Sequence, residues 1–293
     1  MSSPEDSCSP FRNPHLPRSL HPPPESDTLE ETVATLESRW SLRIYDPFPR
    51  PSKTSSWVAP VVCADGTHAV LKIAVPHMEA EHEIHALRIL RGDPTVLLLD
   101  SDEKRNAMLL ERCEPGTPLS QIFQPDQDVV IAGLLKRFWK TPLPPHPFRS
   151  LSVMIDHWIE ATRGAEARWF DRALVEDGIA AFRELANSSF ARTLLATDLH
   201  AGNVLRAERS PWIVIDPKPF IGDRAYDATQ HLLNCRDRMK SDPLDTMRRM
   251  ASLLEVDYER VKLWMFARLA AEPRTDWDDD ATSLARVIGT RRG

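Results

Sequence analysis

The stretch Leu194 to Asp227, LLATDLHAGNVLRAERSPWIVIDPKPFIGDRAYD, decides how the rest of the chain is read. Two short apolar runs, Leu194 to Thr197 and Trp212 to Ile215, each end at an aspartate, Asp198 and Asp216. Asn203 lies five residues after the first aspartate and thirteen before the second. If the runs are buried strands of one hairpin-like unit, both carboxylates stand at strand ends, where a rigid scaffold can aim them at a ligand. An amide oxygen and a carboxylate together suit a hard cation such as Mg²⁺. The second carboxylate is then free for general-base or positioning work.

Upstream of this stretch the pattern is β-rich. Ser56 to Cys63 and Thr67 to Ala74 are β-prone runs separated by Asp65-Gly66, a strong hairpin signal. The second run carries Lys72 among apolar residues, and a buried ammonium needs an anionic partner or a ligand. A helix is expected from Pro76 through Leu87, with Ala80, Ile84 and Leu87 on one face and Glu79 and Glu83 on another. Either glutamate can answer Lys72, and Glu83 is the better placed. The alternative is an edge-strand lysine that snorkels to water beside a solvated acidic helix. Two further strands are expected at Thr95 to Leu99 and Ala107 to Glu111, and the Glu114-Pro115-Gly116 turn closes this portion.

Ahead of the hairpin, Asp27 and Thr28 with Glu30 and Glu31 form overlapping capping boxes, so a helix is predicted over 28–39. Residues 1–26 hold seven prolines and no apolar periodicity, which predicts a disordered arm. Downstream of Gly116 the apolar spacing is helical. It runs through Ile131 to Phe138, Leu151 to Trp158 and Ile179 to Leu185, then again through Ala228 to Met239, Leu244 to Leu254 and Val261 to Leu269. The expected fold is therefore α+β and bilobal: a small β-rich lobe over 27–113, then a larger helical lobe over 114–293.

Composition narrows the function. The 293-residue chain is 42% hydrophobic and has no apolar run long enough to span a membrane. Its start lacks the pattern of a signal peptide, which points to the cytoplasm. Four widely spaced cysteines read as reduced thiols with no zinc spacing. A formal charge of −6 argues against nucleic acid as the main partner.

Lys72 on a strand, a helical glutamate, Asp198-Leu199-His200-Ala201-Gly202-Asn203 and Ile215-Asp216-Pro217, in that order, resemble the aminoglycoside phosphotransferase family. The likeness covers roughly residues 29–270 and is greatest to the streptomycin 6-phosphotransferase and hydroxyurea phosphotransferase branch. It implies a protein-kinase-like fold and an ATP- and Mg²⁺-dependent enzyme that phosphorylates a hydroxyl of a small molecule. It implies that Lys72 meets the α- and β-phosphates and is fixed by Glu83, that Asn203 and Asp216 hold Mg²⁺, and that Asp198 is the base. The backbone from Glu111 through Cys113 to Glu114 becomes the adenine hinge, and Ser55 and Ser56 belong to the loop over the phosphates. A monomer or weak dimer is expected.

The chain departs from the pattern in three places. Ala196-Thr197 stands where many relatives have His-Gly, the phosphate loop Lys53 to Trp57 lacks glycine, and Pro217-Lys218 follows Asp216. The first two motivate an alternative, a catalytically weak pseudokinase that binds nucleotide or regulates. His200 is expected to bond loop carbonyls, and Asp227 to cap a helix or brace the loop. The acidic segment Glu272 to Asp280, with Trp277, reads either as a solvated loop or as a lining for a cation.

Overall fold

A computed structural model describes residues 28–48, 56–169, 171–188, 193–274 and 279–289. The proline-rich arm, Ser55 and the segment containing Trp277 therefore lie outside the described residues.

Helix α1 (Leu29–Arg39) starts at the Thr28 capping box, with Glu31 N donating to Thr28 Oγ1 at 3.2 Å and Thr28 N to Glu31 Oε2 at 2.8 Å. A five-stranded antiparallel sheet follows, built from β1 (Arg43–Ile44), β2 (Ser56–Val62), β3 (His68–Ala74), β4 (Leu98–Asp102) and β5 (Ala107–Glu111) in the order β1-β2-β3-β5-β4. Asp65-Gly66 makes the predicted turn, with Gly66 at φ 87°. Strand alternation separates the faces of the sheet. Ala69, Leu71 and Ile73 pack with Leu36 of α1. Val70, Met108 and Leu110 pack with Ile84 and Leu87 of α2 (Glu83–Leu90).

Two sequence expectations fail here. The helix after Pro76 begins only at Glu83, because residues 78–82 form turns, so Glu79 and Glu83 do not share a helix face. The strand expected at Thr95 to Leu99 is shifted to Leu98–Asp102, and Thr95 instead makes a parallel bridge to Val214. Bridging draws this apolar run toward the other lobe, and the polar residues Asp100 to Asp102 beyond its expected end carry the strand.

Strand β6 (Pro115–Pro118) leads into α3 (Gln124–Phe138), α4 (Leu151–Gly164) and α5 (Arg172–Asn187). Strands β7 (Thr193–Leu195), β8 (Val204–Ala207), β9 (Ile213–Val214) and β10 (Phe220–Gly222) frame the opening stretch. The two apolar runs are not one hairpin: β7 pairs with β10, while β9 pairs with β8 and β8 with β6. Strand β8 had no alternation to announce it. The remaining helices are α6 (Asp227–Asn234), α7 (Arg236–Ser241), α8 (Pro243–Leu254), α9 (Tyr258–Ala271) and α10 (Asp279–Gly289). The helix expected over 228–239 is thus broken at Cys235. One apolar core unites these helices around Phe138, Trp158, Phe182, Tyr226 and Trp264. Val96 N donating to Val214 O and Val214 N to Pro94 O, both at 3.0 Å, stitch the sheet lobe to the helical lobe.

Candidate active site

Lys72 shares its sheet face with Val70, the face that α2 covers. Only 5% exposed, it donates to Glu83 Oε1 at 2.6 Å, Glu83 Oε2 at 2.7 Å and Asp216 Oδ1 at 2.5 Å. An ammonium has three donors, so these carboxylate oxygens use all of them. Glu83 opens α2, where the helix dipole favours its charge. The snorkelling alternative is excluded, and the lysine reaches a carboxylate 144 positions away in sequence.

Asp216 follows β9 at φ 53°, a left-handed backbone that a non-glycine residue adopts at a cost of order 1 kcal/mol. Burial opposes its ionisation, but Lys72 and Lys218 hold its carboxyl well below the usual carboxylate range. Asn203 donates its side-chain amide to Asp198 O at 3.0 Å. That bond fixes the amide and leaves Oδ1 as an acceptor. Asn203 O also receives Ile215 N at 2.9 Å, which holds the asparagine against the strand that leads to Asp216. The donor set of an amide oxygen and a carboxylate fits a hard divalent cation.

The turn into Asp198 is built without the His-Gly pair. Asp198 N donates to Ala196 O at 2.7 Å across Thr197, whose φ is 46°, a compact and strained turn. What enforces it is Asp227, buried at 1% exposure, which accepts Ala196 N at 3.1 Å, Thr197 N at 2.9 Å and Trp139 Nε1 at 2.8 Å. Burial pushes the Asp227 carboxyl up to about 6, with Asp223 adding to the rise, while these three donors pull it back. Of its two expected roles it takes the brace and not the cap: it sits in the first turn of α6, whose N-cap is Tyr226. Asp223 is structural as well, accepting Arg260 Nε and Trp264 Nε1, each at 2.7 Å.

His200 Nδ1 accepts Gly202 N at 3.1 Å within the loop. A Cβ on Gly202 would fall 2.8 Å from the His200 ring, so glycine is needed there. Glu111 spends its side chain on structure, accepting Leu97 N at 2.9 Å and Arg209 Nη2 at 2.5 Å. Cys113 packs on the apolar cluster of Val70, Ala207, Ile213 and Ile215, and burial pushes its thiol up to about 11, so it stays neutral. Ser56 is the first residue of β2.

Three features of the site take roles that the sequence reading did not assign to them. Glu79, half-buried in the turn before α2, has its carboxyl pushed up to about 7 by burial and by the nearby charge of Asp198. Arg268, 3% exposed and stacked over Trp158 and Tyr226, pairs with Glu272 at 2.8 Å. Glu272 therefore leaves the solvated acidic loop and turns inward, whereas Asp280 pairs with Lys240 at the surface. Lys218 forms an ion pair with Asp216. A lysine between two prolines directly after a ligand-type aspartate was the signal that could have found it.

The sequence and the fold both have known relatives. The sequence profile described as aminoglycoside/hydroxyurea antibiotic resistance kinase matches residues 39–280. A streptomycin 6-kinase of Streptomyces griseus is 36% identical over 88% of this chain and 86% of its own length. A hydroxyurea phosphotransferase of Kitasatospora aureofaciens is 35% identical over 87% and 75%. Among solved structures, a choline kinase from Streptococcus pneumoniae superposes with a TM-score of 0.64 at 13% identity, covering 89% of this chain and 98% of that one. A spectinomycin phosphotransferase in complex with ADP and spectinomycin gives 0.52 at 12% identity, covering 92% and 96%. The fold is that of the protein-kinase-like phosphotransferases.

Proposed function

We propose, because the chain belongs to the aminoglycoside/hydroxyurea antibiotic resistance kinase family, that this small-molecule phosphotransferase uses ATP and Mg²⁺ through the residues joined in its cleft. The observation that carries the reading is the contact of Lys72 with both Glu83 and Asp216, which brings the strand lysine of one lobe to the carboxylate of the other.

In this reading Lys72, fixed by Glu83, meets the α- and β-phosphates, and Asn203 and Asp216 hold Mg²⁺. The cation supplies charge neutralisation at the phosphate oxygens. The base of ATP enters between the apolar cluster of Val70, Cys113 and Ile215 and the hinge backbone of 111–114. Ser56, the first residue of β2, and Ser55 before it serve the phosphates. Asp198 accepts a hydrogen bond from the acceptor hydroxyl. The hydroxyl oxygen forms the new bond to the γ-phosphorus, the bond from that phosphorus to the β-γ bridging oxygen breaks, ADP leaves with its electron pair, and the proton passes to Asp198.

The acceptor class follows from two supports. The relatives are named for streptomycin and hydroxyurea, and the carboxyls of Glu79 and Glu272 lie within electrostatic reach of each other, Glu79 also within reach of Asp198. A polar, hydroxylated acceptor, cationic in the aminoglycoside case, suits such walls. The reading includes lobes of 27–113 and 114–293, a cytoplasmic monomer or weak dimer, and no nucleic-acid or membrane partner. No helix of the described residues is long and apolar enough to cross a membrane.

An ATP-consumption screen over streptomycin, other aminoglycosides, hydroxyurea and hydroxylated metabolites tests the proposal, with Mg²⁺-dependent turnover on at least one class expected. Nucleotide binding with no turnover on any acceptor would replace it by the pseudokinase alternative.

A further inference from the structure

Lys218 is 7% exposed, and among the described residues the acceptor of its ammonium group is Asp216 Oδ1. Lys72 differs, since carboxylate oxygens answer all three of its donors. Lys218 thus keeps two N–H donors without a described protein acceptor, on a side chain shielded from water. An ammonium in that state is poised for an anion.

Its surroundings say where that anion lies. Asp198, Glu83 and Glu79 all act on or feel its charge, so the group stands within reach of both sides of the cleft. The backbone fixes it there. Lys218 N donates to Ala196 O at 3.0 Å, and Lys218 O accepts Thr197 Oγ1 at 2.5 Å. The residue is therefore sewn to the turn that presents Asp198, and Pro217 and Pro219 restrict the chain on either side. Position and charge are both defined before any ligand is considered. His200, the titratable side chain of the loop between Asp198 and Asn203, turns its Nδ1 to the Gly202 amide. That loop holds no lysine or arginine to face a phosphate.

We propose that Lys218 is a catalytic residue of the transfer, its ammonium binding the oxygens of the γ-phosphoryl group as that group passes from ADP to the acceptor hydroxyl. This rests on the phosphotransferase reading above. The transferring group lies between the general base and the metal-binding carboxylate, and Lys218 touches the second while standing near the first. Negative charge spread over the equatorial phosphoryl oxygens in a loose transition state is what a fixed, water-shielded cation stabilises. Lys72 then serves the phosphates that stay with ADP, and Lys218 the one that leaves.

The test compares the full-length protein with Lys218→Met, which keeps the length of the side chain, and Lys218→Arg, which keeps its charge. Titration calorimetry with Mg²⁺ measures affinity for ADP and for a non-hydrolysable ATP analogue, and thermal melting checks folding. Lys218→Met is expected to lower kcat by about 10²- to 10³-fold. It is also expected to cut the preference for the triphosphate over ADP by about tenfold, and Lys218→Arg to restore most of that preference. A purely structural counter-ion to Asp216 would weaken both nucleotides by one factor, and that result, or no change in either, overturns the proposal. Should Lys218→Met fail to fold, Lys218→Gln decides: unequal effects on the two nucleotides support the contact, and equal or absent effects overturn it. If the unaltered protein binds neither nucleotide, the phosphotransferase reading itself falls.

Discussion

Two buried ionic clusters hold this molecule together at different places. In the cleft, Lys72 and Lys218 meet Glu83 and Asp216. Inside the helical lobe, Asp128 of α3 receives His231 of α6 at 2.9 Å, Arg238 of α7 at 2.8 Å and Arg249 of α8 at 3.1 Å. Both gather charges from distant parts of the chain. They differ in what remains open. The Asp128 side chain is 2% exposed and both its oxygens accept at least two N–H groups, whereas the Asp216 side chain is 36% exposed. Left-handed non-glycine backbone at Thr197 and Asp216 flanks the cleft, while other such residues, Arg91, Asn106 and Glu255, close helices and turns. A closed cluster fixes helices, and an open one on strained backbone can exchange a protein partner for a ligand.

The comparison breaks most sharply at Asp198. Asp198→Ala is expected to lower kcat by about 10³-fold with nucleotide affinity little changed. Wild-type-like turnover in steady-state assays would remove Asp198 as the base. The closed cluster should respond in stability instead. Asp128→Ala leaves three cationic groups facing no carboxylate and should cost about 3–5 kcal/mol in denaturant unfolding, with kcat per folded molecule preserved. Loss of turnover without loss of stability would show that this cluster also serves the chemistry.

A pH series sharpens the same contrast. Burial opposes the charge of His231, yet Asp128 and Cys235 raise its value to about 9, above 6.5. A raised histidine stabilises fully below pH 6.5, and the contribution fades as pH climbs through 9. On the order of 3 kcal/mol should be lost across that window. Asp128, held down to about 2 by His231 and Arg238 despite burial, loses its contribution as pH falls below 4 toward that value. Replacing His231 by Gln should flatten the alkaline limb, and an unaltered limb would assign it elsewhere.

The smallest effect is expected at Thr197→Gly. Relief of the left-handed backbone and loss of the Thr197 Oγ1 bond to Lys218 O each amount to about 1 kcal/mol and oppose one another. Stability by calorimetry should move by less than about 1 kcal/mol. A larger fall would mean that the hydroxyl, and not the brace from Asp227, holds the loop.

Local pattern carried much of this into view. The Thr28 box, the Asp65-Gly66 hairpin, the apolar faces of the helices and the runs ending at Asp198 and Asp216 are encoded within a few residues of where they act. An apolar run with a lysine in it demands a counter-charge, and Glu83 lies eleven positions on. The failures are equally physical. A run such as Thr95 to Leu99 carries the same pattern whether it pairs with a neighbour or bridges to another lobe, so β4 came out shifted. Pro76 permits a helix start but does not compel one, and the chain turns until Glu83.

By itself, then, the sequence determined which residues must be buried, which of those carry charge, and so which charges require partners. Only the tertiary structure decided the pairing. Strand β7 joins β10 and leaves β9 to β8; Asp227 reaches back to Ala196 and Thr197; Lys218 is sewn beside Asp198. Burial and charge are properties of single residues and their near neighbours. A hydrogen bond across 30 or more positions exists only once two layers have packed, and no local pattern holds that information.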